Sequence, residues 1–228
     1  MRPLFSVFVF FILCQTASSA DVPAVPERST SNNQPTSSES TGPALVDLAS
    51  VCPGLIIDLR YATEDNFTHT KLYPSNSAYL VPAAAEALSR VHGALQQQGF
   101  GLKVWDAYRP LSIQKKFGNL LPDPKFVAPP SRGSRHNRAA SVDVTLVDRH
   151  GQEIPMPTEF DDFSKKAAAH NQDCSNEAKA HRRILQEAMV REGFQILETE
   201  WWHFDFQHWK ECPLLDIEFP HPASPQAP

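Results

Sequence analysis

The chain has 228 residues and a formal net charge of −5. That length favours one domain with a sizeable core, and the mildly acidic balance, without a basic run or stripe, excludes a nucleic-acid footprint. In chain order the first feature is a targeting segment. Arg2 supplies the positive charge, Leu4 to Leu13 is almost entirely apolar, and Ser18, Ser19 and Ala20 place small residues at the cleavage positions. The apolar run is too short to span a membrane comfortably. Cleavage after Ala20 is expected (residues 1–20 as signal peptide), giving an exported protein, periplasmic or extracellular, with no stable membrane insertion. Cys14 raises a lipid-attachment alternative, against which stands Leu13 where a small residue is needed.

Residues 21–44 are rich in Ser, Thr, Pro, Asn and Gln. Such a segment cannot bury enough surface to offset its ordering entropy, so it is expected as a disordered linker. His221 to Pro228 is expected as a disordered tail. Between them, residues 45–220 are expected to fold as a single α+β domain, with a central antiparallel sheet flanked by helices. Leu55 to Tyr61 predicts a strand. Pro82 to Gln98 predicts a helix, with Pro82 in its first turn and Gly99 past its end. Gly101 to Asp106 predicts a strand, followed by a short helix to about Phe117 and a Pro-rich, basic loop over 118–135. Ser141 to Val147 alternates, with Val142, Val144 and Leu146 on one face and Asp143 on the other. Ser175 caps a helix running to Glu192, with Gly193 after it, and Phe194 to Phe206 predicts a strand. Without the leader three cysteines remain, Cys52, Cys174 and Cys212. Either one pair forms, with Cys52–Cys212 closing the ends of the domain, or all three are small buried thiols.

The chemistry concentrates in two segments. SRHNRAASVD carries Ser134, His136 and Asp143, and EWWH carries Glu200 and His203. Two imidazoles and a carboxylate offer three N/O ligands, the number that leaves a position open in catalytic zinc sites. A further carboxylate, Glu200, can then act as general base on water. Spacing permits convergence without requiring it. His136 and Asp143 would face opposite ways in one straight strand, so a loop over Asn137 to Ala140 must turn into the strand that carries Asp143. Glu200 and His203 need a bulge or a strand end near Trp201 and Trp202. His150, His170, His181, His208 and His221 are rival ligands, and Asp143 and Glu200 also read as a turn acid and a surface charge.

Ser-x-His with Asp seven residues after the His, then Glu-x-x-His near the C-terminus, resembles the zinc D-alanyl-D-alanine dipeptidases of the VanX type. That group shares a fold with the hedgehog signalling domain. Tyr61-Ala62-Thr63 with Asp65 to Thr68, Trp105 to Pro110, Phe160-Asp161, and Asn176 to Arg183 continue the likeness in order, over residues 52–219. The resemblance implies a hedgehog/DD-peptidase-like fold and one zinc ion per chain, held by His136, Asp143 and His203. It implies Glu200 as the base that takes a proton from water and passes it to the leaving amine. It implies Arg109 as stabiliser of the developing oxyanion, a role suited to a fixed guanidinium; the alternative is a structural pairing with Asp106. Asp161 would hold the free ammonium of a small dipeptide, with Asp162 a rival, and Ser134 would hydrogen-bond the dipeptide or merely cap its loop. Tyr61, Asn66 and Tyr73 would shape the pocket wall or serve as packing. No other cofactor is implied.

Three positions depart from the family pattern. Ala139 stands where glycine is usual, Ser141 where alanine is usual, and Arg135 where a small serine is found. A glycine needing positive φ would make Ala139 costly, and Arg135 could narrow the pocket or meet the substrate carboxylate. The implied reaction is hydrolysis of D-alanyl-D-alanine in cell-wall peptide turnover or salvage. Two other readings stay open. One is a peptidoglycan carboxypeptidase or endopeptidase acting on longer stem peptides, which Asp161 would discriminate. The other is a non-catalytic zinc-binding module, against which intact Glu200 and Arg109 argue.

Overall fold

A computed structural model describes residues 44–122, 127–129 and 131–219. The expected leader, the tail from residue 221 and all but the last residue of the linker lie outside the described residues. The centre is a five-stranded sheet in the order β2-β4-β5-β7-β6. Its strands are β2 (Ile56–Ile57), β4 (Gly101–Asp106), β5 (Ser141–Val147), β6 (Phe194–Leu197) and β7 (Glu200–Phe206). All neighbours run antiparallel except β2, which pairs parallel to β4 at one edge. A small second sheet pairs β1 (Val46–Asp47) with β3 (Tyr79–Leu80); its two-residue strands carry too short a pattern to be read from sequence.

Helix α1 (Leu48–Val51) leads in, α2 spans Pro82–Gln96, α3 Leu111–Leu120 and α4 Asn176–Arg191. Pro82 occupies the first turn of α2, where its missing N–H removes no hydrogen bond. Ala84, Ala85, Leu88, Val91 and Leu95 form the buried stripe of α2. Gly99, at φ 85°, then reverses the chain into β4. Ser175 caps α4 through the Ala178 N–H. The two long helices pack on each other and on the sheet. Every residue of β5 is buried, because the strand lies in the middle of the sheet with both faces covered. Asp143 is therefore interior, where period-two alternation alone would suggest an exposed polar face. Trp105, Phe160, Trp201 and Trp202 pack ring against ring beside the site.

Three expectations need correction. The strand predicted for Leu55 to Tyr61 is only Ile56–Ile57. The Asp58 N–H still donates to the Val104 carbonyl, but the Leu59 N–H turns to Asn76 Oδ1 at 2.7 Å, and Arg60–Ala62 winds into a 3₁₀ turn. The strand predicted for Phe194 to Phe206 is a hairpin that reverses at Glu198 and Thr199. The Cys52–Cys212 bridge does not form; Cys52, Cys174 and Cys212 are free thiols. Cys52 is buried at the end of α1 beside Ser89 of α2, whereas the Cys212 thiol faces the His208 carbonyl.

Candidate metal centre and cleft

His136 sits in a 3₁₀ turn, Arg135–Arg138, whose start is fixed on both sides. Ser134 Oγ accepts the His136 N–H at 3.3 Å, and Asn137 Oδ1 accepts the Ser134 N–H at 2.6 Å. Asn137 Nδ2 also donates to the Arg109 carbonyl at 2.7 Å, tying the turn to the segment after β4. The turn ends at Ala139 in the left-handed region, φ 52° and ψ 28°, and the chain swings into β5. This is the loop that lets His136 and Asp143 converge. The same φ accounts for the family's glycine here and costs an alanine about 1–2 kcal/mol.

Glu200 and His203 are brought together by a bulge. Ile196 pairs with Phe204, yet Leu197 already pairs with Glu200, so Trp201, Trp202 and His203 bow out of the ladder between β6 and β7. On its other side β7 keeps regular register with β5, placing His203 opposite Asp143.

The three side chains meet in a buried cluster. His203 Nδ1 is 2.9 Å from Asp143 Oδ1 and His136 Nε2 is 3.3 Å from Asp143 Oδ2. The two ring nitrogens are 3.2 Å apart, and one donor atom from each residue lies within 4.8 Å of the others. The outward ring nitrogens are also engaged. His136 Nδ1 is 2.7 Å from the Ala107 carbonyl and His203 Nε2 is 3.0 Å from Asp205 Oδ1. With protons kept on those outward nitrogens and lost from the inner ones, His136 Nε2 and His203 Nδ1 would turn lone pairs toward the same point as the Asp143 carboxylate. Burial pushes Asp143 up, but the two imidazoles outweigh it and hold its carboxyl well below the usual range. Burial disfavours imidazolium at His203, yet Asp143 and Asp205 raise it to about 10. The cluster thus favours positive charge in its midst, and its donor set of two imidazoles and a carboxylate suits a divalent transition metal. Among the rival ligands, His170, His181 and His208 bond elsewhere, to Glu198, the Pro155 carbonyl and Glu211. His150 is exposed outside the cluster and His221 lies outside the described residues.

The cluster forms one wall of a cleft of about 630 Å³, which also holds Tyr61, Arg109, Ser134, Asp161 and Glu200. Glu200 Oε2 is 3.9 Å from His203 Nδ1. Burial is the main cause that raises the Glu200 carboxyl, with His203 opposing and Asp143 adding to it. Arg109 is both paired and cleft-lining. Its Nη2 donates to Asp106 Oδ2 at 2.5 Å, Nη1 to Gln114 Oε1 at 2.8 Å, and Nε to Tyr73 Oη at 3.3 Å. Its guanidinium carbon lies 4.3 Å from the Phe117 ring centre. Each terminal nitrogen keeps one further N–H beyond those bonds.

Asp161 lies in the cleft and accepts from Tyr61 Oη at 3.0 Å. Its rival Asp162 instead accepts the Ser164 N–H in a local turn. Burial is the largest influence on Asp161 and pushes it up to about 8, with Asp143 adding to the rise and Tyr61 opposing it. Tyr73 stands behind the wall and holds Asp106 at 2.7 Å. Asn66 does not line this cleft; its amide bonds the Arg60, Thr63 and Thr70 carbonyls and staples their loop. Asp106 under Arg109 is the pairing partner that the sequence offered, whereas two supporting residues had no sequence signal beyond being polar within a motif: Asn137 under Ser134 and Asp205 behind His203.

A family model described as D-Ala-D-Ala dipeptidase, peptidase M15, matches residues 41–221. The chain is 35% identical over 175 residues to the D-alanyl-D-alanine dipeptidase of Escherichia coli strain K12, covering 77% of this chain and 91% of that protein. It is 31% identical over 180 residues to the D-alanyl-D-alanine dipeptidase of Enterococcus faecium, covering 69% and 88%. A third protein of that name, from Streptomyces coelicolor, is 30% identical over 192 residues, covering 75% and 94%. The fold and the grouped motif residues sit within the matched region, and the chain belongs to the D-Ala-D-Ala dipeptidase family of M15 peptidases.

Proposed function

We propose that this chain is a zinc-dependent dipeptidase that hydrolyses D-alanyl-D-alanine to two D-alanines, using one zinc ion per chain. The observation that carries this reading is one cleft holding the His136, Asp143 and His203 cluster beside Glu200, Arg109 and Asp161. The names of three relatives support the substrate.

His136, Asp143 and His203 would hold the metal. Zinc, when bound, makes water nucleophilic near neutral pH and polarises the carbonyl under attack. The chain's own groups do the rest. Glu200, with its carboxyl raised toward neutrality by burial, takes a proton as the water oxygen bonds to the peptide carbon. It returns that proton to the amine as the C–N bond breaks, so no covalent enzyme intermediate forms. Arg109 offers its remaining N–H groups to the oxygen that gains charge. Because Asp106, Gln114 and Tyr73 already fix the guanidinium, it needs little reorganisation. Asp161, with Tyr61 Oη against it, receives the substrate's free ammonium, which restricts the enzyme to short peptides. Ser134 caps its turn and has a hydroxyl proton left for the dipeptide. The leader-like residues 1–20 support action outside the cytoplasm, on dipeptide released during wall turnover.

The test is release of D-alanine by the zinc-loaded protein from D-Ala-D-Ala, L-Ala-L-Ala and a stem pentapeptide. Release from the D,D dipeptide alone is expected. Equal release from the pentapeptide would move the protein to wall trimming, and no release from any would remove the dipeptidase reading.

A further inference from the structure

We infer that Asp205 is a positioning residue for His203, and that Arg135 and Ser141 serve the reaction by holding Asp205. This rests on the proposed metal reading of the cluster. Asp205 lies two residues after His203 in β7, so their side chains share a strand face. It pairs in register with Ser141 of β5, which brings the Ser141 side chain to the same place.

The carboxylate is buried, at 4% exposure, and an ionised carboxylate in that setting needs partners. It has three. Oδ1 accepts from Ser141 Oγ at 2.7 Å and faces His203 Nε2 at 3.0 Å, while Oδ2 accepts from Arg135 Nη1 at 2.7 Å. Arg135 is itself seated on Trp209, its guanidinium carbon 4.9 Å from the ring centre.

The two ligand imidazoles are therefore backed differently. His136 Nδ1 bonds the neutral Ala107 carbonyl at 2.7 Å, with Asp106 Oδ2 farther off at 3.7 Å, whereas His203 Nε2 bonds a carboxylate oxygen directly at 3.0 Å. A carboxylate behind a ligand histidine fixes its tautomer and ring plane and makes its other nitrogen a better donor. Arg135 and Ser141, two of the three departures from the family pattern, converge on that one carboxylate. Arg135 is thereby assigned as a support of the metal-side wall through Nη1, while its side chain also borders the cleft.

The test is zinc affinity of the full chain by chelator competition, with the visible spectrum of the cobalt-substituted protein as a second readout. Asp205→Asn should weaken zinc by about 10–100-fold and shift the cobalt bands. Ser141→Ala and Arg135→Gln, each removing one hydrogen bond to the carboxylate, should weaken it by about fivefold. A merely structural role would lower the melting temperature of the metal-free protein and leave affinity per folded molecule and cobalt bands unmoved. Zinc affinity of Asp205→Asn within about twofold of the parent, with unchanged bands, would overturn the inference. Should Asp205→Asn not fold, Ser141→Ala and Arg135→Gln decide, and parent-like affinity in both overturns it. Loss of zinc from His136→Ala is the control. Full zinc binding by that variant would overturn the metal reading and this inference together.

Discussion

The two walls of the cleft are built differently. On the metal side, His136, Asp143 and His203 are all buried, stand on a capped turn and two paired central strands, and have their outward atoms bonded. On the opposite side, Asp161 sits in a connection between strand and helix, half-buried, with a positive φ of 58° and, among the described residues, one side-chain hydrogen-bond partner, Tyr61. The comparison teaches where precision is stored. The His136, Asp143 and His203 wall is held by sheet register and by bonded partners, whereas the other wall carries Asp161, a carboxyl that burial pushes up to about 8. Metal-side changes should therefore act on turnover and metal affinity, and changes at Asp161 on substrate choice.

The sharpest way to break this division is Glu200→Gln, which keeps shape and removes the base. Turnover should fall by about 10²–10⁴-fold while zinc stoichiometry, read by metal analysis, stays unchanged. Arg109→Lys comes next. A lysine keeps the charge but not the fork that reaches Asp106, Gln114 and Tyr73 together. The kcat should drop by about 10²-fold, with a lower melting temperature because buried Asp106 loses part of its compensation.

On the recognition side, Asp161→Asn should raise KM for the dipeptide far more than it lowers kcat. Its effect on stability has a definite sign. Burial raises this carboxyl to about 8, so below that pH the ligand-free native protein keeps a proton that the unfolded chain releases above about pH 4. The destabilisation is absent under acid conditions and grows as pH rises to about 8. Asp161→Asn should then stabilise the ligand-free protein by about 1–2 kcal/mol at pH 8–9, a discounted figure because the group borders water, and by nothing at pH 4. Thermal melts at the two pH values check it. The smallest effect is expected at Ala139→Gly. Relief of the left-handed alanine, about 1–2 kcal/mol, is largely offset by glycine's greater freedom when unfolded, about 0.5–1 kcal/mol. The net change should be a gain of between about 0 and 1.5 kcal/mol in urea denaturation.

Much of this was legible in the chain, and the remainder follows a pattern. The long helices were readable because Pro82, Gly99 and Ser175 mark their ends and their apolar stripes are long. The need for a turn before Asp143 and a bulge at Trp201 and Trp202 followed from side-chain alternation, and both are present. Competition from residues distant in sequence was not legible. Asn76 captures the Leu59 N–H and ends β2 from seventeen positions away, which no local pattern contains. The reversal at Glu198 and Thr199 carries no Gly or Pro. Asp205 alternates like an exposed strand acid, yet β7 lies between β5 and β6 and buries Trp201 to Phe206, where Ser141, Arg135 and His203 meet the carboxylate.

The central claim is that the His136, Asp143 and His203 cluster holds one zinc and that hydrolysis of D-Ala-D-Ala depends on it. The most direct measurement adds zinc stepwise to the metal-free chain while following D-alanine release. The account predicts no release at the start and a linear rise that levels off at one zinc per chain. Full activity without metal, or none at saturation with a folded protein, would contradict it.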